Sequence, residues 1–317
     1  MRVYCLSAIV SFVFSVIFCF VLIPLLRKWK AGQNILSYVK EHKKKSGTPT
    51  MGGLAFIAAA LLATFLFERT YRRIFVLSIV IGISYMIIGL IDDMLKRKHK
   101  ENLGLKAWQK FSFQIIVAIF AAFYCYRSGL TELHFPFLKR SIDIGYWIFP
   151  LSIMAFVATV NAVNLTDGLD GLAAGSCAPF FLSIGSLILL QKGETSLSVL
   201  SFTLCGALLG YLCFNVSPAS VFMGDTGSLA LGGFAASIGV FSGNTLYLLI
   251  IGMVFVLSVI SVIMQVIYYK VTGGKRIFLM SPIHHHFQEK GFSESKIAYA
   301  YAMITLLLGV LSIVMEL

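Results

Sequence analysis

The sequence predicts an all-α, polytopic integral membrane protein: about ten transmembrane helices in one domain, residues 1–317, with both termini outside. Three observations predict it. The chain is 58% hydrophobic and only 13% charged, whereas a soluble globular protein is about 25% charged. Its apolar residues fall in long runs, and about 20 such residues cross a bilayer as a helix. Its basic residues cluster at the ends of those runs, as positive-inside topology requires. The net charge of +12 is therefore read as topological, and no nucleic-acid partner is expected.

The elements follow in order. Apolar segments lie at roughly 3–26, 51–67, 74–91, 108–125, 146–163, 171–190, 197–214, 227–241, 245–268 and 298–315. The first resembles a signal peptide, but it has membrane length and no small-residue cleavage site. Its positive flank, Arg27, Lys28 and Lys30, follows it. It reads as a retained helix with its N-terminus outside. Five loops then face the cytoplasm: about 27–50, 92–110, 164–170, 215–226 and 269–297. They hold seven, six, zero, zero and five Lys or Arg, 18 of the 26. Arg69, Arg72 and Arg73 in one short outer loop run against the bias. The six cysteines form no CxxC pair and sit mostly within apolar segments, so they read as small buried hydrophobes.

Five of the six aspartates fall in the inner loops: Asp92, Asp93, Asp167, Asp170 and Asp225. Five of the six histidines do too, His134 being the exception. Ionisable groups at a membrane boundary are usually functional, so a shared site on the inner face is expected. "GLIDDMLK" places Asp92 beside Asp93. Adjacent carboxylates repel unless a cation offsets them, and Lys96 is close enough to reach back along a helix. "NAVNLTDGLDGLAAG" interrupts an apolar background with Asn161, Asn164, Thr166, Asp167 and Asp170. On a helix, Asp167 and Asp170 would share one face; a turn with capping Asn and Asp is the alternative. In "NVSPASVFMGDTGS", Asp225 either caps the next helix or offers a hard carboxylate to Mg²⁺. Phe222 is either an interface anchor or a stacking platform for a planar base.

"KRIFLMSPIHHHFQEKG" carries three successive histidines. A regular helix cannot turn all three to one metal; in a loop, His284 and His285 could donate hydrogen bonds to a diphosphate. "HKKKSGTPTMGG" is either a positive-inside anchor or the source of a phosphate-binding lysine, and it is not a Walker A loop. Its Gly52 and Gly53 suit close helix packing.

Together and in this order, "KSGTPTMGG", "GLIDDMLK", "NAVNLTDGLDGLAAG", "VFMGDTGS" and "SPIHHHFQEKG" resemble the bacterial phospho-N-acetylmuramoyl-pentapeptide transferases. These belong to the polyprenyl-phosphate N-acetylhexosamine-1-phosphate transferase superfamily. The resemblance spans residues 45 to 291. It implies ten transmembrane helices, an active-site cleft on the cytoplasmic face of the bacterial inner membrane, a homodimer and Mg²⁺. It also implies transfer of phospho-MurNAc-pentapeptide from UDP-MurNAc-pentapeptide to undecaprenyl phosphate, giving lipid I and UMP. By motif, Asp92, Asp93 and Asp225 match the family's essential acids, with Asp225 the metal-ligand candidate. Lys45, Lys96 and Lys110 match its lysines, with Lys106 a rival for the last. Asn164, Asp167, Asp170 and Phe222 match its nucleoside pocket, Phe222 stacking on uracil. Gln265, His284 and His285 match groups lining the same cleft. Residues 92–104 depart from the family pattern in local length.

On this reading Asp92 or Asp93 acts as a base on the lipid phosphate, or orients it for in-line attack. A covalent aspartyl-phosphate is the competing route. A sibling transferase for a smaller sugar would share the acids but not the "SPIHHHFQEKG" loop. A secondary transporter would place its acids in mid-helix and show inverted repeats, neither of which the sequence suggests.

Overall fold

The computed structural model describes residues 1–29, 47–70, 72–99, 104–136 and 138–317. The bundle is helical, as expected, and nine of the ten apolar segments each fall mainly on one helix, the segment 245–268 being divided between two. α1 (Arg2–Lys28), α2 (Gly53–Phe67), α3 (Arg73–His99) and α4 (Ala107–Arg127) come first. After α5 (Ile148–Thr166) come α6 (Leu172–Leu190), α7 (Thr195–Asn215) and α8 (Gly224–Phe241). α9 (Thr245–Ile251), α10 (Met253–Val271), α11 (Ile283–Glu289) and α12 (Glu294–Glu316) complete the chain.

Eight of these helices are long and apolar enough to cross a membrane, against the ten expected. Among the described residues α2 and α8 account for the difference, and a third departure changes a boundary and not the count. The segment 245–268 is not one helix, because the chain bends at Gly252, which ends α9 and precedes α10; glycine is a poor residue in a helix interior. α2 is only 15 residues long. α8 is 18 residues long and is interrupted by small and polar residues. Every α8 residue from Thr226 to Phe241 is buried, so protein rather than lipid solvates this helix and strong hydropathy is unnecessary. A hairpin of β1 (Glu132–Phe135) and β2 (Arg140–Asp143), antiparallel with Leu133 opposite Ile142, lies between α4 and α5. It has no counterpart in the sequence expectation.

α8 is the central post of the fold. α3 and α5 pack along it, and α2 meets its first turns. Small residues set these close approaches, as in membrane helix pairs generally. A side chain at Gly53 would overlap the backbone of Gly227, and one at Gly232 would overlap Val160. The expected packing role of Gly53 is thus seen directly. α7 packs against α1, α2 and α6, and α12 covers α6. The C-terminal ends of α3 and α5, the N-terminal end of α8, and α11 meet at one end of the bundle. The hairpin reaches the opposite end, where the His134 N–H donates to Gly243 O at 2.9 Å.

Candidate active site

The close contact of α3 with α8 starts at a glycine. A side chain at Gly89 would overlap the carbonyl of Asp225, so the residue three before the paired acids lets the two backbones touch. One turn later, α3 delivers Asp92 and Asp93 to the N-terminus of α8. Gly224, at φ 70°, makes the turn into that helix. A Cβ there would crowd Asp93 Oδ2 and come within 2.6 Å of Thr50 Oγ1.

The two adjacent acids have different partners. Asp93 accepts from the Thr226 N–H at 2.9 Å, the Thr226 hydroxyl at 2.7 Å and the Asp225 N–H at 3.2 Å. It caps a buried helix start, where orphan N–H groups and the helix dipole favour a carboxylate. Asp92 accepts from the Leu105 N–H at 2.6 Å and pairs with Lys96 at 2.7 Å. Both side chains are buried.

Asp225 stands at the centre. Its Oδ2 lies 2.8 Å from Lys96 Nζ and 2.7 Å from Lys110 Nζ. Its Oδ1 accepts from Asn164 Nδ2 at 2.8 Å, and that amide also donates to Ser228 Oγ at 2.9 Å. Lys110, not Lys106, is therefore the lysine on the acid; Lys106 is exposed at the start of α4. Each of Asp92, Asp93 and Asp225 offers an oxygen within 4.8 Å of the others. Three hard oxygen donors so close together suit Mg²⁺, so the residues present fit the expected ion.

The second expected group lies alongside. α5 ends at Thr166 and α6 begins at Leu172, so Asp167 and Asp170 sit in a turn and not on one helix face. Asp170 is committed to the scaffold: its carboxylate accepts from the Ala219 N–H at 3.0 Å, and its own N–H donates to Glu294 Oε2 at 2.9 Å. Asp167 is half-buried. Burial first, then the charges of Asp225, Asp93 and Asp170, push its carboxyl up to about 8. Phe222 is held by its backbone, which donates to Pro49 O at 2.8 Å and accepts from the Gly52 N–H at 2.9 Å.

α11 brings the histidines to this turn. A Cβ on Gly168 would come within 2.5 Å of His284 Nε2 and 3.0 Å of His285 Nε2. His284 is fully buried, and neither ring nitrogen has a hydrogen-bond partner. Burial, then the charge of His285, lowers it to about 3. A neutral imidazole donates one hydrogen bond and accepts another, which weakens the expectation of two diphosphate-donating histidines. Gln265 does not face the carboxylates. Its amide clamps the chain before α11, accepting from the Ile277 and Phe278 N–H groups at 3.1 and 3.0 Å and donating to Phe278 O at 3.0 Å. Lys45 lies outside the described residues.

Sequence reasoning missed Thr226, Ser228 and Glu294. Thr226 stands inside the "GDTGS" motif and was within reach of a capping argument. Nothing local marks Glu294, which reaches the site only through the fold.

The glycosyl transferase family 4 model matches residues 74–243, and the phospho-N-acetylmuramoyl-pentapeptide-transferase signature 1 matches residues 45–57. The chain is 45% identical over 314 residues to the phospho-N-acetylmuramoyl-pentapeptide-transferase of Clostridium novyi (strain NT), covering 97% of this chain and 96% of that protein. It is 44% identical over 321 residues to the same-named protein of Halalkalibacterium halodurans, covering 99% and 98%. Against that of Bacillus subtilis (strain 168) it is 42% identical over 322 residues, again covering 99% and 98%.

Proposed function

The chain belongs to the phospho-N-acetylmuramoyl-pentapeptide-transferase family, and on that premise we propose how its residues divide the work. It is a multi-pass protein of the bacterial cytoplasmic membrane. It transfers phospho-MurNAc-pentapeptide from UDP-MurNAc-pentapeptide to undecaprenyl phosphate, forming lipid I and releasing UMP. One observation carries the assignment of the chemistry: three carboxylates converge within 4.8 Å beside two lysines bound to the central one.

Phosphoryl transfer asks a protein mainly to position its reactants and offset phosphate charge. The cytoplasmic end of the bundle supplies both. A lipid phosphate oxygen attacks the sugar-bearing phosphorus, the bond to the uridylyl phosphate breaks, and UMP leaves. Lys96 and Lys110 already bridge Asp225 and are placed to meet the anionic groups as they arrive. Asp92, on the same lysine, orients the lipid phosphate. Asp93 is a positioning residue, because its two oxygens hold the start of α8 and hence Asp225 in place. Mg²⁺, held by Asp225 with Asp92, would supply charge neutralisation on the diphosphate. Asn164, Asp167 and Phe222 with the α11 histidines form the nucleotide end. The functional unit is a homodimer.

The direct route has a clear test. Purified protein is given UDP-MurNAc-pentapeptide, undecaprenyl phosphate and Mg²⁺, and UMP release is followed. Release that requires the lipid phosphate, and a weaker response to UDP-GlcNAc, are expected. Equal use of UDP-GlcNAc would defeat the substrate assignment, and a phosphorylated protein trapped without lipid would replace direct attack by a covalent route.

A further inference from the structure

Asn161 opens the motif "NAVNLTDGLDGLAAG", yet its amide is not on the carboxylates. It lies about one turn of α5 before Asn164, which binds Asp225. Its partner is Gln114, about one turn of α4 beyond Lys110. Two polar rungs thus join the helices: Lys110 with Asn164 at 3.5 Å, and Gln114 with Asn161 at 2.7 Å. The first rung belongs to the charged centre. The second lies deeper in the bundle and is only half used.

The orientation of that second rung is forced. A carbonyl oxygen only accepts. Asn161 Nδ2 donates to Val157 O at 2.8 Å, so this end of its amide is the NH₂ group, and the same group meets Gln114 Oε1. The NH₂ end of Gln114 is therefore turned away from Asn161, and no described residue accepts from it. Gln114 is only 1% exposed, and a buried donor left without an acceptor is costly. A polar tie between membrane helices explains the Gln114 oxygen but not the idle nitrogen.

A groove of about 450 Å³ opens at this rung. Gln114, Asn161 and Lys110 are its polar lining, and Ala107, Trp108 and Phe111 complete it. Trp108 and Phe111 are exposed, on a helix long and apolar enough to cross a membrane. The groove thus combines exposed apolar surface, a cation shared with the reaction centre and a neutral donor with no partner. A matching ligand carries an anion at one end of a long apolar body. A nucleotide sugar lacks that body, and a polyprenyl phosphate has both parts. We propose that Gln114 is a specificity-determining residue for the acceptor lipid: its Nε2 donates to a phosphate oxygen of the polyprenyl phosphate, whose chain leaves over Trp108 and Phe111. An anion beside lipid is stable only when it is paired and hydrogen-bonded, which Lys110 and Gln114 together provide. Asn161 is a positioning residue, because it holds the Gln114 amide with its NH₂ free. The identity of the lipid rests on the transferase reading above; the orientation of the amide stands on the hydrogen bonds alone.

The test is steady-state UMP release by the full chain in detergent, with undecaprenyl phosphate and UDP-MurNAc-pentapeptide varied in turn. Gln114→Glu keeps an acceptor for Asn161 and puts an oxygen in place of the idle NH₂. It should raise KM for undecaprenyl phosphate about ten- to a hundredfold, the range for a hydrogen bond to a charged group, with KM for the nucleotide sugar unchanged. Gln114→Met brings no charge and should do the same, which keeps the test open if Gln114→Glu does not fold. Asn161→Leu breaks the tie but leaves the donor, so it should move the lipid KM less than Gln114→Met does. If Gln114 served only as the tie, Gln114→Glu would be silent and the other two variants would match; either result overturns the proposal. A parallel rise of both KM values overturns it too, since Gln114 would then act on the common centre. Failure of the transferase reading looks different: the wild type itself would release no UMP in response to undecaprenyl phosphate.

Discussion

The end of α3 and the turn between α5 and α6 each carry two aspartates, and the structure uses them in opposite ways. At the end of α3 every acid is compensated by charge or by a helix start. Asp92 pairs with Lys96, Asp93 caps α8, and Asp225 between them binds two lysines. In the α5–α6 turn Asp170 accepts from a backbone N–H, and Asp167 is pushed towards its protonated form by burial and by nearby acids, which outweigh the charge of Lys96. Carboxylates surrounded by cations are suited to charge transfer on phosphates. A carboxylate that accepts from a backbone N–H, or is held towards its protonated form, is suited to shape and hydrogen-bond recognition. The comparison teaches that aspartate count alone says little, and that the counter-groups assign the work.

The largest effect is expected at the shared centre. Asp225→Asn removes the anion that Lys96 and Lys110 share, leaving Lys96 with Asp92 alone, and weakens the candidate cation site. UMP release should fall about 10²- to 10³-fold, the scale seen when a principal electrostatic group is lost from a catalytic site. A loss under tenfold would break the assignment of chemistry to the α3–α8 end.

Asp93→Asn should act on both structure and rate. An amide can accept with only one of its two ends, so at least one of the N–H and hydroxyl donors at the α8 start loses its partner. A lost helix cap costs about 1–2 kcal/mol, which should appear as a lower Tm in detergent alongside reduced UMP release. Reduced activity at unchanged Tm would mean that Asp93 touches substrate after all.

A smaller effect is expected at Asp170. Asp170→Ala removes the acceptor of the Ala219 N–H and should cost about 1–2 kcal/mol, in the range of a buried unsatisfied donor. Asp170→Asn keeps a carbonyl oxygen for that N–H and should be nearly neutral in Tm. If Asn were as damaging as Ala, the charge of Asp170 would matter and the contrast between the two regions would weaken.

Asp167 gives the subtlest test, through pH. Its folded carboxyl titrates near 8, above an unfolded value of about 3.9. Below about pH 4 both states are protonated and the shift has no effect. Between about pH 4 and 8 the unfolded chain ionises while the folded chain resists, so stability is progressively lost; above about pH 8 the loss is complete. Asp167→Asn should therefore raise the Tm of the ligand-free protein more at pH 8 than at pH 5. An equal gain at both values would contradict the uncompensated environment.

Much of this was legible in the sequence. Hydropathy gave the helices, and the loop motifs gave the acids, because both are local properties. The break at Gly252 and the burial of α8 were not legible, since burial of a helix inside a bundle is set by its neighbours. The opposite partners of Asp92 and Asp93 were hidden for a related reason: adjacent residues on a helix point about 100° apart, and what each meets depends on α8 and on Leu105. Placing Asp167 and Asp170 on one helix face would require a helix that continues past Thr166, where α5 ends. Glu294 reaches Asp170 across 124 positions, a distance no motif spans.

The division of work between the two regions is tested most directly by steady-state kcat and KM for UDP-MurNAc-pentapeptide in Asp92→Asn and Asp167→Asn, assayed side by side by UMP release with saturating undecaprenyl phosphate and Mg²⁺. Asp92→Asn should lower kcat with KM near that of the wild type, and Asp167→Asn should raise KM with kcat largely kept. If both variants lose kcat alike at unchanged KM, the α5–α6 turn shares the chemistry and the two regions do not divide it.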